Sequence, residues 1–344
     1  MNLASLATSA AERVDLPDVL LRAGIGNMVA RSARALTPRE GQDFAFAAWM
    51  ANQQVALHTD SANAQHYELP AAFFEAALGP HRKYSSCFYP TGTETLAEAE
   101  ACALAATCDM ADLRDGQRIL ELGCGWGSLT LFMAAAYPAA SITAVSNSQG
   151  QRVYIEAQAA ARGLGNLRVI TADMNDFDAQ GLFDRVVSVE MFEHMTNWRA
   201  LLTRVRGWLA PEGRVFLHVF THNGVPYRFD HEHGADWIAQ YFFTGGIMPS
   251  QLLIHQFNDI FEVEAERRWS GTHYERTALQ WLENFDANRA VIGTLLRHTY
   301  GAEADIWRRR WRLFFLAVAG LFGHADGAVW GVGQYRLKAA AQAE

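Results

Sequence analysis

The chain has 344 residues, half of them hydrophobic, so it can bury a large core. Its formal net charge is −8 and no block of lysine and arginine dominates, which argues against a nucleic-acid partner. The densest basic cluster, residues 308–312, alternates arginines with Trp307 and Trp311. This pattern is typical of a solvated helix face above buried tryptophans.

Three features concern the cellular compartment. The chain has four cysteines, Cys87, Cys102, Cys108 and Cys124. They form neither a CxxC pair nor a Cys/His metal set, so we expect reduced thiols and no metal site. Residues 1–17 lack a basic region followed by an apolar one, and the longest apolar run, 313–322, is too short to cross a bilayer. We therefore predict a cytoplasmic protein without a signal peptide or a stable membrane anchor.

Residues 1 to about 110 predict a helical N-terminal extension. Apolar residues recur at helical spacing around 19–21 and 44–50. An aromatic, hydroxyl-rich loop at 83–90 precedes the alanine-rich stretch 95–108, which is also predicted to be helical.

Residues 111–220 predict an α/β core with a parallel sheet, because strand and helix patterns alternate there. The predicted strands lie at 118–122, 141–146, 167–171, 184–189 and 214–220, and the predicted helices at 128–136, 149–162 and 198–208. The ligand of an open α/β sheet lies at the carboxyl ends of the strands.

The first strand leads into ILELGCGWGSLTL at 119–131. Gly123, Gly125 and Gly127 lack a Cβ, so the chain can turn tightly and a ligand can lie directly on it. The G-x-G-x-G spacing behind Glu121 differs from the G-x-G-x-x-G of dinucleotide sites. It resembles the first motif of Rossmann-like methyltransferases that use S-adenosylmethionine, although three glycines can also serve only a tight turn.

The ends of the second and third strands supply further candidates. Asn147 and Gln151 can donate to and accept from ribose hydroxyls. Asp173 and Met174 suit the amino group and the ring face of an adenine. Ser148 has the simpler alternative of a helix N-cap.

The end of the fourth strand carries Glu190, Glu193 and His194. If a helical turn begins near Glu190, these residues stand at i, i+3 and i+4 on one face. Carboxylates there attract a cationic amine, and an imidazole can take its proton. A surface acid pair with a capping histidine is the alternative, and the spacing fits a metal site poorly.

Residues 221–344 predict a helical substrate lid together with the last sheet strands. The stretches 221–260 and 276–322 are aromatic and helix-like, whereas 261–269 and 330–337 are strand-like. The aromatic density is either ordinary core or a lid that encloses an apolar cation through cation–π contacts, and we favour the lid.

Taken together, these motifs resemble the cyclopropane fatty acid synthase-like methyltransferases, above all the plant benzylisoquinoline alkaloid N-methyltransferases of the coclaurine type. The resemblance spans roughly residues 80–338. It rests on motifs at 84–87, 121–131, 146–148 with Gln151, 190–195, 241–246 with 248–250, and 321–323.

The resemblance implies roles for several residues. Glu190, Glu193 and His194 match the catalytic set. The residues predicted to bind the cofactor match the family's cofactor positions or belong to the glycine loop: Tyr84, Ser85, Gly123, Gly125, Gly127, Asn147, Gln151, Asp173 and Met174. For the substrate we assign Phe220, Tyr274 and Trp311.

Departures from the lipid synthases favour an amine. Those enzymes cyclopropanate an alkene with a bicarbonate base, and their pattern has Cys at Ser86, Gly at Glu190, an Ile near Phe220 and a late Cys at Val318. Glu193, His218 and Tyr274 still match the bicarbonate set. An added carboxylate at Glu190 would repel bicarbonate and attract an ammonium.

We therefore predict an α/β fold with a Rossmann-like class I methyltransferase sheet, a helical N-terminal extension and an inserted helical lid. The predicted function is N-methylation of a small cyclic or aryl-alkyl amine by S-adenosyl-L-methionine, in a protein that binds no nucleic acid and can form a homodimer. His194 would be the base, Glu193 would orient it or share its task, and Glu190 would hold the cation. The alternatives are a fatty-acyl phospholipid methyltransferase or cyclopropane synthase, and a catalytically silent binder of the cofactor.

Overall fold

The computed structural model describes residues 10–57, 69–229 and 236–341. Residues 1–9 belong to the stretch in which we predict no signal peptide, and residues 230–235 belong to the predicted lid. Both ranges lie outside the described residues.

Among the described residues, the helices before the sheet include α1 (Asp18–Ala35), α2 (Gln42–Met50), α3 (Ala71–Ala77) and α4 (Leu96–Met110). Thr95 begins α4 with a capping box, because its hydroxyl accepts from the Glu98 N–H and the Glu98 carboxylate accepts from Thr95. The helical character predicted for this part of the chain is confirmed.

The α/β core follows the predicted alternation. Its elements are β1 (Arg118–Leu122), α5 (Ser128–Ala136), β2 (Ser141–Ser146), α6 (Gln149–Ala161), β3 (Leu167–Thr171), β4 (Phe183–Val189), α7 (Trp198–Gly207) and β5 (Leu209–His222). The predicted bounds are confirmed within about two residues, except at β5. That strand begins at Leu209 and not at the predicted residue 214, and residues 210–213 form an irregularity in its pairing with β4.

The C-terminal part returns to the sheet twice. Its elements are β6 (Tyr227–Arg228), α8 (Trp237–Tyr241), β7 (Ile247–Met248), β8 (Phe261–Ser270), α9 (Gly271–Ala287), α10 (Arg289–Tyr300), α11 (Ala304–Phe322) and β9 (Trp330–Ala339). A short 3₁₀ helix, Leu253–Phe257, precedes β8. The strands predicted at 261–269 and 330–337 are confirmed.

The main sheet has seven strands in the order β3-β2-β1-β4-β5-β9-β8. Strands β1 to β5 are parallel, and β9 runs antiparallel between β5 and β8. The crossover from β3 to β4 makes a crevice at the carboxyl ends of β1 and β4, where such sheets bind ligands. The predicted α/β class is confirmed.

The N-terminal helices and the C-terminal helices share one hydrophobic core. Ile25 of α1, Phe73 of α3, Trp281 of α9 and Trp311 of α11 belong to the same buried cluster. These helices therefore form one layer beside the sheet. Among the described residues, no helix is both long enough and apolar enough to cross a membrane.

Candidate active site

A cleft crosses the carboxyl ends of β1, β2, β3 and β4. It consists of two adjoining cavities with about 790 and 620 Å³ of empty space, open solvent included. Both cavities are lined by Gly123, Gly125, Gln151 and Glu190, so they meet at the glycine loop and at the end of β4.

The three predicted glycines have different roles. All have positive φ, which L-residues with a side chain rarely adopt. A Cβ on Gly125 would meet nothing within 4 Å, so the cleft lies directly on this residue. A Cβ on Gly127 would approach Ile155 of α6 to 2.6 Å, and Gly127 lines neither cavity. Gly127 therefore permits helix packing and does not reach the cleft.

The first cavity contains the residues predicted to hold the nucleoside. Asn147, Gln151, Asp173 and Met174 all line it. Ser148 caps α6 by accepting from the Gln151 N–H, which confirms the simpler interpretation of that serine.

The second cavity contains Tyr84 and Ser85, the other predicted cofactor residues. Its wall also carries buried polar atoms without a hydrogen-bond partner among the described residues: Thr107 Oγ1, Trp126 Nε1, Ser128 Oγ and Gln151 Nε2. Buried polar groups normally have partners. This donor-rich wall fits the amino acid part of S-adenosylmethionine, and Gly125 leaves room for the ligand to lie on the backbone.

Glu190 is held by three donors. Its Oε1 accepts from the Ser86 N–H at 2.9 Å and from His218 Nε2 at 3.3 Å, and its Oε2 accepts from the Tyr274 hydroxyl at 2.7 Å. Burial acts to raise the pKa of this carboxyl, but the His218 hydrogen bond and the Lys83 charge outweigh it, so the pKa lies below its ordinary value. Glu190 is therefore ionised at neutral pH.

Glu193 lies in the opposite electrostatic situation. It is fully buried, its Oε1 accepts from the Phe220 N–H at 2.6 Å, and its Oε2 has no partner among the described residues. Burial and the neighbouring charge of Glu190 raise the pKa of Glu193 well above its ordinary value. Two carboxyls three positions apart are thus held in different protonation states.

The predicted helical face is wrong. Glu190 follows β4 with φ 48°, in the left-handed region, and a 3₁₀ helix begins only at Phe192 and ends at His194. Glu190 and His194 nevertheless line the same cavity. The His194 ring lies 4.4 Å from the Phe243 ring, measured between centroids.

An aromatic wall extends from this turn. The ring centroid of Phe220 lies 5.5 Å from that of Phe243 and 6.2 Å from that of Phe322. Tyr274 stacks on Phe322, with the two ring centroids 4.3 Å apart. Phe220 and Tyr274 thus contact the two carboxyls, although neither lines the two cavities, and their assignment to the substrate stays a prediction. Trp311 is fully buried and packs against Phe73 at 4.8 Å, away from both cavities, so its contacts are those of a core residue.

The structure adds two residues to which the sequence led us to assign no role. Register between β5 and β9 places Gln334 opposite His218, and its Nε2 donates to His218 Nδ1 at 3.2 Å. The Glu190 carboxylate only accepts, so His218 Nε2 carries the proton. Burial also lowers the pKa of His218, which is therefore neutral. The second residue, Lys83, is the one buried ammonium of this site among the described residues, and a lysine within an aromatic, hydroxyl-rich loop is the signal that points to it.

The arrangement suits transfer chemistry on a cation. It combines one ionised carboxylate, one buried neutral carboxyl, an imidazole on the cleft and an aromatic wall. Within the described ranges, no group of three or more His, Cys, Asp and Glu side chains is placed to hold a metal ion.

Sequence comparisons identify relatives of this chain. A sequence model of the mycolic acid cyclopropane synthetase family matches residues 56–330. The (S)-coclaurine N-methyltransferase of Thalictrum flavum subsp. glaucum is 34% identical over 282 residues, 80% of this chain and 78% of that protein. The cyclopropane-fatty-acyl-phospholipid synthase of Escherichia coli (strain K12) is 30% identical over 270 residues, 78% of this chain and 66% of that protein.

Solved structures show the same two groups. Coclaurine N-methyltransferase bound to N-methylheliamine and S-adenosylhomocysteine matches with a TM-score of 0.91 and 31% identity, over 96% of this chain and 98% of that chain. The cyclopropane synthase MmaA2 from Mycobacterium tuberculosis matches with a TM-score of 0.70 and 23% identity, over 83% of this chain and 100% of that chain. The second match shows a shared fold.

Proposed function

The chain belongs to the mycolic acid cyclopropane synthetase family of S-adenosylmethionine-dependent methyltransferases, and we propose that it methylates the nitrogen of a small cyclic or aryl-alkyl amine. Relatives at about this identity include enzymes named for N-methylation of plant alkaloids and an enzyme named for cyclopropanation of phospholipids. The choice between the two chemistries therefore depends on the site.

The observation that carries the proposal is the position of the Glu190 carboxylate. By resemblance, His218 and Tyr274 match residues that surround bicarbonate in the lipid synthases. Here both donate to Glu190, at 3.3 and 2.7 Å. A resident carboxylate thus occupies the donors that an external anion would need. It leaves a fixed negative charge on the cleft, which favours an ammonium over an alkene.

The aromatic wall supports the substrate class. Phe220, Phe243, Phe322 and Tyr274 form a continuous set of ring contacts, which reaches Glu190 through the Tyr274 hydroxyl and Glu193 through the Phe220 N–H. Aromatic rings attract cations and bury aryl groups. An amine attached to an aromatic or fused ring meets both requirements.

Proton removal is the chemical task of this chain's own residues. A free alkylamine is largely protonated at neutral pH and has no lone pair to attack with. Glu190 holds the ammonium, and His194, which lines the cleft, takes its proton. The raised pKa of Glu193 keeps this carboxyl protonated in the resting site, so it cannot take the first proton. Its role is to orient its neighbours.

Positioning supplies the remainder of the rate. When bound, S-adenosylmethionine supplies a methyl group on a positively charged sulfur. Gly123 and Gly125 line one side of the cleft, and Asn147, Asp173 and Gln151 face it from the ends of β2 and β3 and from α6. Holding a lone pair in line with its target turns a bimolecular step into an effectively unimolecular one.

The test is an assay with labelled cofactor against tetrahydroisoquinolines, phenethylamines and unsaturated phospholipids, each with and without bicarbonate in buffer freed of carbon dioxide. We expect label on at least one amine, and no dependence on bicarbonate. The Glu190→Gln variant retains an acceptor but loses the charge, so it should raise the Michaelis constant for the amine. Turnover of phospholipid alone, stimulated by bicarbonate, would assign the chain to the lipid chemistry instead.

A further inference from the structure

We propose that Lys83 is a positioning residue that directs the Ser85 hydroxyl into the cleft and fixes the Ser86 peptide against Glu190. The part of this inference that concerns Ser85 depends only on the cofactor cleft. The part that concerns Glu190 rests on the proposed amine methylation.

Lys83 is buried in a way that packing alone does not require. The residue is 2% exposed, and its Nζ donates to Ser85 Oγ and to the Ser86 carbonyl oxygen, both at 2.6 Å. Its partners are thus a hydroxyl and a carbonyl. Burying an ammonium costs several kcal/mol unless charges and hydrogen bonds compensate it, and an apolar side chain of the same length would avoid that cost.

The loop that carries Lys83 is fixed from its other side by Glu100 of α4. Glu100 is fully buried, and its carboxylate accepts from the backbone N–H groups of His81 and Lys83 at 2.8 and 3.1 Å. Burial raises the pKa of Glu100 to about 6, although the Lys83 charge opposes this. The lysine therefore leaves a rigid backbone and reaches towards the cleft.

The first consequence concerns Ser85. A hydroxyl has one proton and two lone pairs. Because one lone pair accepts from the Lys83 ammonium, the Ser85 proton is left for another acceptor. Lys83 and Ser85 both line the cavity that fits the amino acid part of the cofactor, so that acceptor lies in the cleft. Lys83 thus converts Ser85 into an oriented donor.

The second consequence concerns Glu190. Lys83 holds the carbonyl of Ser86, whose N–H donates to Glu190 Oε1 at 2.9 Å. The ammonium charge also favours the ionised form of Glu190. The groups that face Glu190 are His218 from β5, Tyr274 from α9, Glu193 from the 3₁₀ helix and Lys83 from the loop before α4. Lys83 supplies the one ammonium in this set; burial lowers its pKa from the ordinary lysine value, and the charges of Glu190 and Glu100 oppose that shift.

The test for Ser85 is a double-mutant cycle in cofactor affinity. Calorimetry with S-adenosylhomocysteine should show that Lys83→Met and Ser85→Ala each weaken binding by roughly ten-fold, the scale of one charge-assisted hydrogen bond. The double variant should lose no more than either single one, because both changes remove the same oriented donor. The proposal would be overturned if the affinity losses of the two single variants multiplied in the double variant. It would also be overturned if the folded Lys83→Met variant bound S-adenosylhomocysteine with normal affinity.

The test for Glu190 is the acidic limb of the pH profile of kcat/KM, measured in a His194→Ala background so that protonation of the proposed base does not define the limb. Loss of the Lys83 charge raises the pKa of Glu190, so activity after Lys83→Met in this background should begin to fall at a higher pH than in His194→Ala alone. Ser85→Ala should leave the limb in place, and Lys83→Arg should restore it. A limb that does not move in Lys83→Met would contradict this role.

A matched control separates these effects from general damage. Arg185 is also a buried cation, paired with Asp112 at 2.6 Å near the amino end of β4, and it lines neither cavity of the cleft. Arg185→Met should lower thermal stability and leave both cofactor affinity and the acidic limb unchanged. If Lys83→Met does not fold, Lys83→Gln provides the same two measurements. If no amine is methylated at all, the proposed function fails, whereas the calorimetric cycle still decides the role of Lys83.

Discussion

Glu190 and Glu193 show how strongly position controls chemistry at the scale of one residue. They are three positions apart, yet Glu190 has three donors and a lowered pKa, and Glu193 has one donor and a raised pKa. A proton bound by the pair belongs mainly to Glu193, because two adjacent buried carboxylates repel each other. The identity of both residues follows from the sequence, but their protonation depends on His218, Tyr274 and Phe220, which come from distant parts of the chain.

The proposed base can be identified from pH dependence. His194→Ala should lower kcat by about a hundred- to ten-thousand-fold, the usual cost of losing a general base. The deficit should shrink between about pH 7 and about pH 9.5, because a growing share of the amine is then neutral in solution. Glu193→Gln resembles the protonated form, so its deficit should be smaller and independent of pH. A deficit of His194→Ala that stays constant over this range would make Glu193 the next candidate for the base.

Backbone strain at Glu190 gives a second prediction. Its φ of 48° costs an L-residue about 1–2 kcal/mol relative to glycine. Glu190→Gly and Glu190→Ala both remove the carboxylate and strand the same three donors, so they differ mainly in this strain. We expect the glycine variant to be the more stable by about 1 kcal/mol in urea denaturation, although glycine normally destabilises relative to alanine. Both should raise the Michaelis constant for the amine. An alanine variant as stable as the glycine variant would show that the strain is absent.

At the scale of elements, periodic helices and strands were predictable, whereas local departures from regular backbone geometry were not. The strands β1 to β4 and the helices α5 to α7 match their predicted bounds because hydrophobic period and glycine turns are local signals. The helical face at Glu190 was wrong, because sequence spacing alone does not reveal a left-handed residue. The start of β5 was wrong because residues 211–213, which look like a turn, bulge within a strand that continues on both sides.

The arginines of α11 make contacts with other elements that composition alone did not reveal. The predicted solvated face instead carries ion pairs to the N-terminal segment: Arg308 and Arg309 to Asp15, Arg310 to Glu12, and Arg312 to Asp18. Arg310 also lies 3.8 Å from the ring centroid of Tyr241 at the end of α8. The N-terminal segment, α8 and α11 therefore meet at this one guanidinium.

We expect Arg310→Ala to loosen the N-terminal segment without unfolding the sheet. The Arg310–Glu12 pair is largely buried, with 14% and 12% of the two side chains exposed, so its loss should exceed that of a surface pair. Limited proteolysis and hydrogen exchange should show faster cleavage and exchange in residues 10–35. Arg152→Ala is the control, because Arg152 forms an exposed i,i+4 pair with Glu156 worth at most about 0.5 kcal/mol. Equal protection of residues 10–35 in both variants would contradict this role of Arg310.

At the scale of the whole molecule, segments from both ends of the chain complete the cleft. The Val55 carbonyl oxygen accepts from the Thr196 N–H at 2.6 Å, and Ala56 pairs with Met195. Residues 55–56 therefore reach the turn that carries His194. Tyr274 and Gln334 arrive from after the core. Such pairings join positions 84 or more residues apart and leave no local pattern, which is why the surroundings of the carboxyls could not be predicted from local spacing.

Glu121 links the site to the pH dependence of global stability. It is 3% exposed, its Oε2 accepts from the Thr130 hydroxyl at 2.5 Å, and burial raises its pKa to about 7. The folded protein therefore binds this proton more tightly than the unfolded chain does. The resulting stabilisation is complete below the ordinary carboxyl pKa and is lost as pH rises through about 7.

The isosteric variant Glu121→Gln retains an acceptor for Thr130 but cannot titrate. We expect the free energy of unfolding of the unmodified protein, relative to this variant, to fall by on the order of 3 kcal/mol between about pH 5 and about pH 8. Urea denaturation of the cofactor-free protein at several pH values measures the difference. Glu264→Gln is the control, since hydrogen bonds from Arg214 and Arg336 lower the pKa of Glu264 and its contribution is lost only as pH falls below the ordinary carboxyl value. A Glu121→Gln variant whose stability parallels that of the unmodified protein over this window would show that Glu121 is already ionised in the fold.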